Sequence, residues 1–371
     1  MRTKLLWMVL VLFPACGEIA IDPGPGGPNP DPNPGADPGP EPDPNPDPDP
    51  NPNPDPTVNR LLITILPPGE VDPSNIPVIE GDMVYAAMWD QHAATMIRAR
   101  EAHETATGRS VLVAVLDAGF DLSHPILSGH ISPNGYDTRD GDADPNDLGN
   151  GYDDYGEGTP DSAVGHGNFV AGMVLLSAPD ATILPIRVMD DEGYGNGPAL
   201  AEGIRYAVAR KARVLNVSAH PALLQALDVR VALDEARMRG AVVVASAGND
   251  GRPGLGPIAG DSRSVSVGAV NGHFEVAEFS NSAFLTEELT VYAPGVDLYG
   301  PMTRGAMGMW SGTSFSAGIA SGAAALWLEL EPASPPDAVQ ERIRTSVNPA
   351  YDRQGNRVAA GVVDLAQVVS R

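Results

Sequence analysis

An α/β fold, with a mainly parallel sheet covered by helices on both faces, is predicted by three features of this 371-residue chain. From Ser110 onward, short apolar runs alternate with helical patterns, the order that builds parallel strands joined by crossover helices. Past Val58 the composition suits one large domain with a core of its own. Asp117 and Asn249 each follow an apolar run closely, and sheets of this kind carry their sites beyond the carboxyl ends of strands.

The chain opens on MRTKLLWMVLVLFPACGE: Arg2 and Lys4, an apolar run at 5–13, then Ala15 before Cys16, the only cysteine. This pattern predicts a signal peptide over 1–15, with an apolar run too short to cross a bilayer as a mature helix. A lone cysteine makes no internal disulfide. Residues 16–57 follow as a tether. Positions 21–57 are almost wholly Pro, Asp, Asn and Gly, with no aromatic residue, so they bury no core and stay extended and solvated. At about 3.1 Å per residue such a segment reaches on the order of 100 Å. Eight acids (Asp22, Asp31, Asp37, Glu41, Asp43, Asp47, Asp49 and Asp55) lie there without a basic partner, so the formal net charge of -25 is only partly the domain's. An acidic balance argues against nucleic acid and against adsorption to anionic lipid, since both need clustered Lys and Arg.

Residues 58–97 form an N-terminal segment whose role the sequence does not define. Positions 61–66 read as a strand ended by Pro67 and Pro68, and 83–106, free of Gly and Pro, as helix. Beyond it, strands are predicted at 111–116, 183–188, 214–217, 242–246 and 265–270. Helices are predicted at 167–176, 198–210, 221–239, 314–330 and 336–345.

Three polar residues at the edges of these elements have chemistry that fits together. A serine hydroxyl is a poor nucleophile at neutral pH. It needs an imidazole to take its proton and a buried carboxylate to hold the imidazole's tautomer. Asp117 follows a strand, His166 lies between Gly165 and Gly167, and Ser314 opens a helix rich in Gly and Ala. Each also has a plainer reading: a turn aspartate, a helix-start histidine, and a serine in a small-residue stripe whose use is close packing. Ser311 and Ser316 compete as hydroxyls, and Asn249 in AGNDG reads equally as a turn residue.

Four segments taken together go further. From about Arg98 to the C-terminus, VLVAVLDAGFDLSHPIL, GHGNFVAG, VVVASAGNDG and GTSFSAGIASG resemble, in order, the aspartate, histidine, oxyanion-asparagine and serine blocks of the subtilisin-like serine proteases, or subtilases. The order Asp, His, Ser separates this arrangement from the other common serine-hydrolase orders. The resemblance implies a peptidase domain over 98–371 with no C-terminal accessory domain. It implies a serine endopeptidase acting on polypeptide, monomeric and needing no cofactor, with Ser314 as nucleophile, His166 as base, Asp117 as orienting acid and Asn249 as oxyanion donor. The rival expectation is a surface binding or structural lipoprotein on the same scaffold, with little turnover.

Departures from the pattern bear on both. Ala118 stands where the family usually has Ser or Thr, and Asn168 and Phe169 replace its usual Thr and His. Ala219, His220 and Pro221 replace a glycine-containing substrate strand, which predicts a narrowed groove. A calcium site that many members build has Ile126 in place of its aspartate, which implies that this site is missing. Asp140, Asp142 and Asp144 alternate as hard oxygen ligands do, and a calcium loop and a solvated acidic loop fit them equally. Ala15-Cys16 resembles a bacterial lipobox, with Phe13 for the usual Leu. That resemblance implies secretion across the inner membrane and a lipidated Cys16 holding the chain at the cell envelope; an ordinary signal with an incidental cysteine is the alternative.

Overall fold

The computed structural model describes residues 61–62, 82–154, 156, 158, 160–219, 226–283 and 289–370. Cys16, the 16–57 tether, and His220 with Pro221 lie outside the described residues. The described chain begins with β1 (Leu61–Leu62), α1 (Asp82–Asp90), α2 (His92–Met96), α3 (Ala99–His103), β2 (Leu112–Asp117), β3 (Tyr136–Asp137) and α4 (His166–Ser177). Next come β4 (Thr182–Arg187), β5 (Tyr194–Gly195), α5 (Gly197–Ala209), β6 (Val214–Val217), α6 (Ala226–Met238), β7 (Val242–Ser246), β8 (Ser264–Val270) and β9 (Val291–Pro294). It closes with β10 (Leu298–Pro301), β11 (Met307–Trp310), α7 (Thr313–Leu330), α8 (Pro336–Thr345), β12 (Val347–Asn348), β13 (Val362–Val363) and α9 (Leu365–Val369).

The main sheet has nine strands in the order β12-β13-β9-β8-β7-β6-β2-β4-β3. All neighbours are parallel except β12 with β13. Its middle strands are apolar on both sides because both faces are covered. Along β2, Val113 and Val115 enter the core shared with α4 and α7, while Ala114 and Leu116 enter the one shared with α5 and α6. This is the two-residue alternation of a strand with a helix layer on either side. The fold is therefore the expected α/β sheet with helices on both faces.

Every predicted strand and helix past Ser110 has a counterpart. The strand at 242–246 and the helix at 336–345 match to the residue. Helix α5 starts where its side chains say it should: Asn196 accepts a hydrogen bond from the Ala199 amide, and Pro198 occupies the first turn. The single helix expected over 83–106 is corrected to three. The Gln91 side chain leaves the helix to bond the backbone of Tyr299 on β10, donating at 2.8 Å and accepting at 3.0 Å. Arg98 turns to φ 55° and its guanidinium bonds Asp364 and Glu101. Tertiary partners override local propensity at both breaks. Met88, Ala93, Ala94 and Ile97, from the segment given no role by sequence, sit in the main core.

Candidate active site

Asp117 is the last residue of β2, fully buried. Its Oδ1 accepts two hydrogen bonds, from the Ala118 amide at 2.8 Å and from His166 Nδ1 at 2.6 Å. That second bond leaves His166 Nε2 as the ring's available nitrogen. Oδ2 is buried without a hydrogen-bond partner among the described residues. The alanine side chain of Ala118 offers it none.

His166 begins α4 because Gly165 turns at φ 86° just before it. The helix start then lies hard against the turn after β2. A Cβ at Gly167 would overlap the Gly119 carbonyl oxygen. Asn168 fastens the same corner: its Oδ1 accepts from the Asp121 amide at 2.7 Å, and its Nδ2 donates to Met302 O at 2.7 Å. Asn168 thus braces the loop after Asp117 and the tip of the β10–β11 hairpin at once.

The packing of α7 on α4 sets the level of Ser314 relative to His166. A Cβ at Gly318 would lie 2.9 Å from Val170 O, and one at Gly322 would lie 2.8 Å from Val174 O, so the helices run parallel and in step at very short range. One turn earlier on both, Ser314 stands level with His166. The next residue confirms the register, since the Phe315 ring lies 5.3 Å from the imidazole. The small-residue stripe therefore has the packing use expected of it, and that use positions the serine. The Ser314 hydroxyl makes no hydrogen bond among the described residues, as in many unliganded sites where this link tightens with substrate. Its amide is among the first of α7, with no preceding helical carbonyl to bond.

Asn249 lies past the end of β7 on a loop held by Asn281, which accepts from the Asp250 amide at 3.0 Å. Its Oδ1 accepts from both the amide and the hydroxyl of Thr313, each at 2.9 Å. The Thr313 hydroxyl accepts in turn from the Gly248 amide at 3.2 Å. The carbonyl end of the Asn249 amide is thus tied to the start of α7. Thr313 was not singled out by sequence, although its place beside Ser314 was the available signal.

Of the two readings of Asp140, Asp142 and Asp144, the structure supports the solvated acidic loop. Asp142 Oδ1 accepts from the Asp144 amide and Asp144 Oδ1 from the Asn146 amide, which are turn bonds between residues two apart. Asp140 lies 3.7 Å from Arg187. All three are exposed, and among the described residues no three His, Cys, Asp or Glu side chains converge as a metal site.

Buried acids occur instead at 190–192, after β4. Burial, reinforced by Asp147 and Asp190, pushes Asp191 up to about 6. Burial, with Asp154, Asp153 and Asp191 nearby, pushes Glu192 up to about 7. The folded state holds these protons after the unfolded chain has lost them, so this contribution to stability is present in acid and lost as pH rises through about 6 to 7. Tm of wild type measured from pH 4 to 8 should therefore carry a declining component that Glu192→Gln reduces. A variant with the wild-type pH slope would contradict the assignment.

The sequence and the fold find parallels among known proteins. A family model described as the subtilase family matches residues 108–362. The thermophilic serine proteinase of Bacillus sp. (strain AK1) is 35% identical over 218 residues, covering 58% of this chain and 51% of that protein. Subtilisin E of Bacillus subtilis (strain 168) is 33% identical over 254 residues, covering 65% and 61%. The chain thus spans between half and about three fifths of the length of these two relatives. A solved protease of Pseudoalteromonas arctica PAMC 21717 superposes with TM-score 0.62 at 26% identity, over 74% of this chain and 93% of that one. At 23% identity a lanthipeptide protease shares the fold, with TM-score 0.65 over 78% and 95% of the two chains. With its sheet, its four motif segments and a family match over most of its length, the chain belongs to the subtilase family.

Proposed function

We propose that the protein is a serine endopeptidase that cleaves polypeptides through an acyl-enzyme. The observation that carries this reading is the buried 2.6 Å bond from His166 Nδ1 to Asp117, on a helix start that α7 packing sets level with Ser314. Ser314 Oγ attacks the peptide carbonyl carbon while His166 Nε2 takes its proton, and Asp117 holds the imidazolium. Asn249 and the Ser314 amide donate to the oxyanion. Collapse breaks the C–N bond, with the Nε2 proton passing to the leaving amine. Water, deprotonated by His166, then hydrolyses the ester and frees Ser314.

Labelling of the whole chain by a fluorophosphonate tests the reading, because only an activated serine reacts. Labelling confined to Ser314 supports it. A folded, unlabelled chain would leave the binding-lipoprotein alternative.

The proposed organisation is a signal over 1–15, a tether over 16–57, and a monomeric peptidase unit at the cell envelope, held to the membrane by lipid on Cys16. The spacer supports this, since a long hydrophilic arm is useful when its upstream end is fixed. No described helix is long and apolar enough to cross a membrane. Wild type is expected in the detergent phase of a partition assay and Cys16→Ser in the aqueous phase; an unacylated, freely secreted wild-type chain would remove the anchor.

A further inference from the structure

The imidazole of His166 is flanked by rings from two other elements. Trp310, at the end of β11, meets it edge-on, with centroids 5.6 Å apart and an interplanar angle of 88°. Phe315, in the first turn of α7, meets it at 5.3 Å and 43°. These two rings touch each other at 5.4 Å, and both touch Phe169 from the next turn of α4, at 6.0 Å and 4.4 Å. All three aromatics are at most 2% exposed. Gly300 makes room for Phe169: a Cβ there would lie 3.0 Å from its ring.

Aromatic residues commonly fill cores, and Phe169 alone would mean no more than that. The imidazole is a different case. Its bond to Asp117 fixes one ring nitrogen but leaves the ring free to pivot about that bond, and pivoting moves Nε2. Rings packed against it at defined angles restrict that motion, and edge-to-face and tilted contacts at these separations are favourable geometries for aromatic pairs.

We propose that Trp310 and Phe315, backed by Phe169, are positioning residues that hold the His166 ring with Nε2 toward Ser314. This rests on the reading of His166 as the general base. The rings act through the imidazole, so loss of one should lower kcat while leaving KM nearly unchanged.

The test uses the whole chain with Trp310→Leu, Trp310→Phe and Phe315→Leu, with folding of each checked by Tm. Trp310→Leu is expected to lower kcat between about 10- and 100-fold, the scale of a small misplacement of a catalytic group, with KM within about twofold. Trp310→Phe should recover most of the loss. The downfield proton resonance of His166 Nδ1 should weaken or exchange faster in both Leu variants and persist in Trp310→Phe. A folded Trp310→Leu with wild-type kcat and an unchanged Nδ1 resonance would overturn the proposal, as would a Phe variant no better than Leu. Phe315→Leu keeps the question answerable if Trp310→Leu does not fold. The Nδ1 resonance reads ring geometry without turnover. An inactive, unlabelled wild type would therefore count against the proposed function and not against the clamp.

Discussion

Ser314→Ala is expected to abolish peptide hydrolysis and fluorophosphonate labelling with little change in Tm. Loss of a nucleophile from such a triad costs on the order of 10⁶-fold in kcat, a magnitude established in subtilisin itself, and removing His166 should cost about as much because the members act as a unit. Stability should hold because the deleted oxygen makes no hydrogen bond among the described residues, so its removal leaves no partner unmatched. Asn249→Ala makes the contrast. Losing an oxyanion donor costs about 100- to 1000-fold in turnover, again the subtilisin figure, so slow labelling of Ser314 should survive. Its Oδ1 also takes two bonds from Thr313, and leaving those donors buried and unmatched costs about 1–3 kcal/mol. Asn249→Ala should therefore be the less stable variant although the more active one. Hydrolysis by pure Ser314→Ala would end the mechanism.

The sheet was legible because its middle strands are buried on both faces. Such strands write themselves into the sequence as unbroken apolar runs, and 214–217 and 242–246 were bounded to the residue. The four candidate site residues were readable for another reason: the chemistry proposed for them tolerates few residue types, so short motifs mark them. What holds those groups in place is spread over distant positions and left no local mark. Gln91 breaks a helix to reach Tyr299, 208 residues away. Asn168 looked like a departure from pattern and proves to be a brace between two loops. The alternating acids at 140–144 satisfied a ligand spacing, yet the carboxylates of Asp142 and Asp144 are used by the turns they sit in. Spacing along the chain does not determine which way a side chain points.

Gly167→Ala should cost more activity than any other single methyl added near the site. In a helix with open space this change is stabilising, by roughly 0.5–1 kcal/mol, so the local expectation is a gain. Space is not open here: the new Cβ would overlap the Gly119 carbonyl oxygen and lie 3.1 Å from the Phe120 ring. The turn it meets cannot easily withdraw. Gly119 sits at φ 125°, a conformation that favours glycine. Phe120 is pinned on both sides, its amide donating to Pro145 O at 3.0 Å and its carbonyl accepting from the Asp147 amide at 2.8 Å. On the other side α4 is backed against α7 at Gly318 and Gly322, where the helices already approach as closely as glycine allows. Relief must come from parting the start of α4 from the end of β2, which stretches the bond from His166 to Asp117. Overpacking of this kind costs about 1–3 kcal/mol, and displacing a catalytic group by about 1 Å costs on the order of 100-fold in rate. Tm and kcat/KM of Gly167→Ala should therefore fall together. A raised Tm with unchanged kcat/KM would mean that the turn gives way, and that something other than this glycine contact sets the distance between aspartate and histidine.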